Sequence, residues 1–469
     1  MNDIGLIGLG VMGKSLVLNI EDKGYKIAAY NYTPEETRDL MDNEGKGKNI
    51  SAFYDLKSFV NSLSKPRKVF LMITAGKPID SMIEKLAPLL NKDDIIMDGG
   101  NSYFRDTNRR INELKEKGIR YLGIGVSGGE TGALNGPSLM PGGSIEAYEL
   151  VKDILIKIAA QTEDGPCCTY IGNGSAGHFV KMIHNGIEYA IMQAISETYD
   201  IMRKALKLSS EEIGNIFEDW NSKELNSFLM DISYKIMKHK DEKTKKPLVE
   251  LVLDKAGQKG TGKWTAQTSL DLGIPTPSLT AAVQGRTLSY FKEYRKDLSK
   301  NVYKKYSDIS YNRNKIVEEL KNSLLFSSFI IFSQGLWLMA EASKVYDYHI
   351  NLSEVLKIWK GGCIIRSKML DSFREIIDED SKNITLLNNK KSLDFLTEKL
   401  DSIKDVTSIA ADFYIPAIVL NSTIDYFYGM TEENLPANLI QAQRDCFGAH
   451  TYERIDEEGI FHTENWDQY

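Results

Sequence analysis

The chain has 469 residues with a formal net charge of −7, 42% of them hydrophobic and 26% charged. That length gives roughly two to four domains with ample apolar chain for a core, and the acidic balance argues against a nucleic-acid partner. Cys167, Cys168, Cys363 and Cys446 have no metal-ligand spacing, so the expectation is reduced, structural thiols in a cytoplasmic protein without a metal site.

The first apolar residues already belong to a strand and no basic leader precedes them, so no signal peptide is expected. That strand, Ile4–Leu9, runs into Gly8-Leu9-Gly10-Val11-Met12-Gly13, and a helical pattern over Lys14–Lys23 follows. Glycines at this spacing permit a tight turn, close approach of the backbone to a pyrophosphate, and close helix–strand packing; the helix N-terminus favours the anion. A second strand, Lys26–Tyr30, ends at Asn31-Tyr32-Thr33. An acid there would bind a ribose 2′-hydroxyl and disfavour a 2′-phosphate. None stands in those three positions, so NADP is expected, with NAD left open because no arginine is adjacent.

Val69–Thr74 reads as a third strand, and its end, Ile73-Thr74-Ala75, joins the coenzyme candidates. Ile95–Met97 runs into Asp98-Gly99-Gly100-Asn101-Ser102, and Tyr121–Val126 into Ser127-Gly128-Gly129. Loops at the carboxyl ends of such strands line the ligand crevice. Asn101, Ser127, Gly128 and Gly129 are therefore substrate candidates, Asn101 also for the coenzyme, although plain turn chemistry would account for the glycines too. Gly136–Gly143 reads as a corner without a role and Thr169–Gly172 as a last short strand. These elements make residues 1–176 an α/β Rossmann-type dinucleotide-binding domain.

Long helical patterns begin near Ala176 and define an all-α domain over 177–434. On a helix advancing about 100° per residue, Lys181, His184, Asn185, Glu188 and Tyr189 share an arc of roughly 140°, while Met182, Ile183 and Ile187 face the other way. Five different functional groups on one face, after a complete dinucleotide pattern, mark this helix as the place of the chemistry. Ala190–Phe217 and Ile330–Trp359 resemble each other and suggest an internal repeat. Ser323–Ala340 approaches membrane-span length, but its four serines and Gln334 favour a buried helix of a soluble bundle. Lys238–Lys246 reads as exposed. Asp254–Trp264, DKAGQKGTGKW, forms a donor-rich loop suited to an anion, and Arg286 follows on a helix. The tail, 435–469, has too little apolar surface for a domain, yet groups Arg444, Phe447, His450 and Tyr452; it is either disordered or docked on a second subunit.

The run Val252–Trp264, KMIHNGIEY from Lys181, Gly-Val-Ser-Gly-Gly at 125–129 and QAQRDCFGAHTYE near the end together resemble the decarboxylating 6-phosphogluconate dehydrogenases over essentially the whole chain. The resemblance implies a coenzyme domain, a helical domain and a homodimer whose tail enters the partner's active site. It implies oxidation of 6-phosphogluconate to ribulose 5-phosphate and carbon dioxide with NADP, in the pentose phosphate pathway. By position, Lys181 is the base for the C3 hydroxyl and Glu188 the acid that protonates the enediol. Asn101, Ser127, Gly128, Gly129, His184 and Asn185 would contact the carboxylate and hydroxyls. Tyr189, Lys259 and Arg286 would hold the phosphate, with Arg444 and His450 from the other subunit. No metal is needed, because the lysine supplies the electron sink. Many members have Arg where this chain has Tyr32 and Lys where it has Thr74, which weakens the expected NADP preference.

Overall fold

The chain is described as a computed structural model over residues 1–304, 312–379 and 385–466. It forms two compact units, Met1–Thr423 and Ile424–Tyr469.

The first unit is built on a seven-stranded sheet: β1 (Ile4–Ile7), β2 (Ile27–Tyr30), β3 (Ile50–Phe53), β4 (Lys68–Leu71), β5 (Ile95–Asp98), β6 (Arg120–Ser127) and β7 (Ser138–Gly143). Their order is β3-β2-β1-β4-β5-β6-β7, parallel except for β7, which pairs antiparallel with β6. The central strands read as unbroken apolar runs because both faces are covered. Leu16, Val17, Ile20 and Leu155 pack on one face, and Phe59, Ile79, Ile83 and Leu86 on the other. The order reverses between β1 and β4, the switch point at which such sheets open a ligand crevice.

Two strands escape the sequence pattern. β3 is an edge strand whose last three residues are only half-buried, so it has no apolar run to announce it. β7 contains Pro141, Gly142 and Gly143 and looks like a corner; six residue pairs with β6 make it a strand. In turn Thr169–Gly172, expected as a strand, makes a single bridge, Gly172 against Gly142, and the residue before it, Cys168, bridges Leu139.

The helices that frame the site are α1 (Val11–Asp22), α2 (Pro34–Asp42), α3 (Phe104–Lys115), α4 (Gly129–Asn135), α5 (Ala176–Lys204), α6 (Thr261–Asp271), α7 (Pro277–Tyr290) and α8 (Arg313–Val345). The start of α5 lies directly on the sheet, and only glycine allows it. A Cβ on Gly177 would stand 2.2 Å from the Met140 carbonyl oxygen and 2.3 Å from that of Gly123. The apolar side of α5 meets α8, where Gly335 leaves room for Ile187 and Ile183, as their place opposite the functional face requires. Among the described residues one helix, α8, is long and apolar enough to cross a membrane, but 94% of its most apolar window is buried. Its burial is that of a core helix.

In the second unit, α9 (Ala437–Gly448) carries Asp445, whose buried carboxylate organises the chain after it. It accepts from the Thr451 and Thr463 amides at 2.9 and 3.0 Å, from His462 Nδ1 at 2.8 Å and from Trp466 Nε1 at 3.1 Å. Burial alone would raise this carboxyl; the four donors overcome that and hold it down to about 2. The described tail is thus ordered around one residue. Its apolar side chains Leu439, Ile440, Phe447 and Ile460 remain exposed.

Candidate active site

The glycine loop after β1 has the three properties its spacing predicts. Gly8 has a φ of +102°, and a Cβ there would fall 2.4 Å from the Met72 carbonyl oxygen. Gly13 packs on the Gly8 carbonyl, where a Cβ would come within 1.8 Å. Gly10 faces open space and caps α1 without any side-chain bond. The first-turn amides, beginning at Val11 and Met12, are therefore available to an anion. These residues fit a dinucleotide pyrophosphate. Leu9 N–H donates to Asn31 Oδ1 at 2.9 Å, which ties the loop to the end of β2.

At that end the structure corrects the expectation of a corner without an acid. Glu36, in the first turn of α2, folds back so that its carboxylate accepts from Asn31 Nδ2 at 3.1 Å and from the Thr33 hydroxyl. Tyr32 is exposed, with Lys85 over its ring at 5.0 Å. Arg38 lies 3.9 Å from Glu35 and over the Tyr54 ring, and Lys14 is paired to Asp39.

The turn after β5 is fixed from below. Buried Asp98 accepts from Gly100 N–H at 2.9 Å, Ser102 Oγ at 2.6 Å and Tyr121 OH at 2.8 Å. Buried Arg110 of α3 reaches Ser102 Oγ at 3.2 Å, Asp80 at 2.8 Å and the Gly76 carbonyl at 3.1 Å. One guanidinium thus joins the turn that presents Asn101 to the loop that presents Ile73, Thr74 and Ala75. His178 of α5 donates through Nε2 to the Asp98 carbonyl at 3.0 Å, while its Nδ1 accepts from Thr107 at 2.7 Å. Burial keeps this imidazole neutral. Asn101 and Thr74 themselves are exposed.

Three residues further along α5 the functional face begins. Lys181 is buried, and it fits because β6 has glycine opposite: a Cβ on Gly125 would lie 2.5 Å from the lysine Cβ. Burial pushes the Lys181 amine below its usual value, against the opposing pull of the Glu188 carboxylate. Burial likewise raises the Glu188 carboxyl, opposed by Lys181 and Arg286. His184 is fully buried, and desolvation, reinforced by the lysine, holds it well below the usual imidazole range. Its Nδ1 lies 3.0 Å from Asn185 Oδ1 and 3.3 Å from Lys181 Nζ; its Nε2 lies 3.0 Å from Ser127 Oγ and 2.9 Å from Cys363 Sγ. With the amide oxygen accepting, Nδ1 carries the proton. Nε2 then accepts from the hydroxyl and the thiol.

Tyr189 and Arg286, expected together, are together: the guanidinium of α7 stacks on the ring 3.4 Å from its centroid. Gly262 of α6 makes room for that ring, since a Cβ there would approach it to 2.6 Å. Arg286 also donates to the Gly257 carbonyl at 3.1 Å and so binds the Asp254–Trp264 loop, on which Lys259 is exposed. Gly128 has a φ of +123° and packs on the Gly362 carbonyl, whereas Gly129 faces open space. Arg444 and His450 belong to the second unit; Arg444 donates to Gln441 at 3.0 Å, and His450 is exposed.

Sequence reasoning missed the Gly361-Gly362-Cys363 turn, which closes over Ser127 and His184. Cys363 is a buried thiol pushed up to about 12 by its burial. Its neighbour on the imidazole is Trp359, edge-on at 5.6 Å. Only the paired glycines hinted that backbone approaches backbone there. Cys446, by contrast with the three buried cysteines, is exposed.

A Rossmann-type crevice whose strand ends are bonded to a helix carrying a buried lysine and a raised carboxyl defines a nicotinamide-nucleotide dehydrogenase with an all-helical second half. Comparison with known proteins places it more narrowly. The pattern of the 6-phosphogluconate dehydrogenase C-terminal domain matches residues 177–466, and that of the NAD binding domain of 6-phosphogluconate dehydrogenase matches residues 3–172. The chain belongs to the 6-phosphogluconate dehydrogenase family. A Bacillus subtilis relative named as NADP(+)-dependent and decarboxylating is 46% identical over 98% of both chains. Another from the same organism, named as NAD(+)-dependent and decarboxylating, is 46% identical over 100% of both. The structure of Plasmodium falciparum 6-phosphogluconate dehydrogenase, solved apo, with NADP+ and with 6-phosphogluconate, superposes with a TM-score of 0.95. It is 43% identical and covers 98% of this chain and 100% of that one.

Proposed function

We propose that the protein oxidises and decarboxylates 6-phosphogluconate to ribulose 5-phosphate and carbon dioxide, reducing NADP, with NAD as the alternative coenzyme. The observation that carries this reading is the opposed tuning on one helix face: a buried lysine lowered and, about two helical turns along, a carboxyl raised. A base and an acid working at one pH need such a pair.

Bound at the glycine loop, the coenzyme supplies a hydride acceptor. Lys181, as a neutral amine, takes the C3 hydroxyl proton as hydride leaves C3. The resulting 3-keto acid breaks its C1–C2 bond, and the bonding pair moves toward the C3 oxygen while carbon dioxide departs. Protonated Lys181 gives its proton to that oxygen. Glu188 then protonates the former C2, which becomes C1 of the ketose, while Lys181 takes the proton back from the C3 oxygen as its carbonyl forms. Asn101, Ser127, Gly128, Gly129, His184 and Asn185 hold the carboxylate and hydroxyls. Tyr189, Lys259 and Arg286 hold the phosphate, for which a stacked guanidinium and an ammonium on the loop it binds are suited.

The same reading divides the chain into 1–176, 177–434 and a 435–469 tail, in a cytoplasmic homodimer. The tail would bring Arg444 and His450 to the partner's phosphate site. Its exposed Leu439, Ile440 and Phe447 support docking on a second copy. The test is to supply 6-phosphogluconate with each coenzyme and follow nicotinamide reduction and carbon dioxide together. Equal amounts are expected. Reduction without carbon dioxide would point to a non-decarboxylating β-hydroxyacid dehydrogenase.

A further inference from the structure

The corner that selects between NAD and NADP carries an acid that the linear sequence hides. Asn31 ends β2 and is tied to the glycine loop through Leu9 N–H at 2.9 Å. Its other side-chain atom, Nδ2, donates to Glu36 Oε2 at 3.1 Å, and the Thr33 hydroxyl donates to the same oxygen. The carboxylate is therefore held one hydrogen bond from the residue where dinucleotide-binding folds present an acid to the adenosine ribose. The Thr33 contact, with Glu36's own backbone N–H, the charge of Lys14 and the Asn31 contact, keeps the carboxyl below its usual range and hence ionised.

Positive charge at this corner is thin. Arg38 is turned to Glu35 and Tyr54, and Lys14, whose charge also reaches Glu36, is paired to Asp39. Lys85, over the Tyr32 ring, is a cation left beside it. A fixed carboxylate with so little compensation repels a phosphate dianion and leaves a hydroxyl an acceptor to bind.

We infer that Glu36 is a coenzyme-selecting residue, which lowers the affinity for the 2′-phosphate of NADP relative to the 2′-hydroxyl of NAD. This rests on the proposed coenzyme use, and Lys85 makes the expected effect a reduced preference rather than an exclusion of NADP.

The test compares 2′,5′-ADP with 5′-AMP as ligands of the full chain by titration calorimetry, in wild type and Glu36→Gln. Neither ligand involves turnover, so a failure of the proposed reaction would not be confused with a failure here. Glutamine keeps an oxygen for Thr33 and Asn31 while removing the charge. The expected result is a rise of about tenfold in the affinity ratio of 2′,5′-ADP to 5′-AMP, shrinking as salt is raised. A merely structural Glu36 would alter both ligands alike. A ratio unchanged within about twofold, or one indifferent to salt, would overturn the inference.

Discussion

Replacing Lys181 by Met keeps a long apolar stem in the space beneath Gly125 while removing the amine. The account predicts that turnover falls by about a thousandfold or more, with 6-phosphogluconate binding still measurable by calorimetry, because the amine acts on the reacting hydroxyl. Glu188 gives a pH signature. Its carboxyl is raised by burial, so it stays protonated where an ordinary carboxyl has ionised, and it loses its proton as pH climbs further. The wild-type kcat should fall through that raised value. Glu188→Gln, slower by about 10²–10⁴-fold, should lack this alkaline fall. On the other side, Lys181 gains a proton as pH drops through its lowered value, so kcat/KM should decline with acidity. Parallel pH profiles of the two proteins check both signs. The five-residue polar face was legible at this scale, because helical period alone brings those side chains together. Glu36 was not: reading three adjacent residues cannot show that the first turn of the next helix carries an acid back to them.

Between elements, glycines set how closely helix and sheet approach. Gly177 faces two carbonyl oxygens that cannot move aside, whereas Gly335 faces the Ile187 side chain, which can turn. Gly177→Ala should therefore cost about 3 kcal/mol or more, and Gly335→Ala about 1 kcal/mol, read from urea unfolding. Gly177→Ala should also lower activity more than its stability loss explains, since Lys181 is one turn away. The strands β1, β2, β4, β5 and β6 could be read because each is an apolar run buried on both faces. β7 could not, since Pro141 and two glycines mimic a turn, and its strand character comes from pairing with β6, whose partner residues lie 11 to 21 positions away in sequence. The Cys363 turn was hidden for the same reason: its contact with His184 joins residues 179 apart.

At the level of the whole molecule, the proposed sharing of the active site makes a prediction that no single chain can satisfy. Lys181→Met and Arg444→Ala, each inactive, should regain activity when co-refolded, because one site in the heterodimer has both residues intact. Failure despite isolated heterodimers would contradict the sharing. The tail offers a second check through Asp445, whose carboxyl is depressed to about 2. A depressed acid contributes stability that is complete above its unfolded value of 3.8 and is lost as pH falls toward about 2. Asp445→Asn should loosen residues 437–466 at neutral pH, seen as faster amide exchange there than in the sheet.

The proposed chemistry needs a lysine lowered by burial for use as a base, and Lys181 can be titrated directly. Protein carrying ¹³C at lysine Cε would be followed by NMR across pH, with Lys181→Met as the reference. One resonance, absent from the variant, should have its midpoint below the usual 10.5. If Lys181 titrates with the exposed lysines at that usual value, the buried base is contradicted.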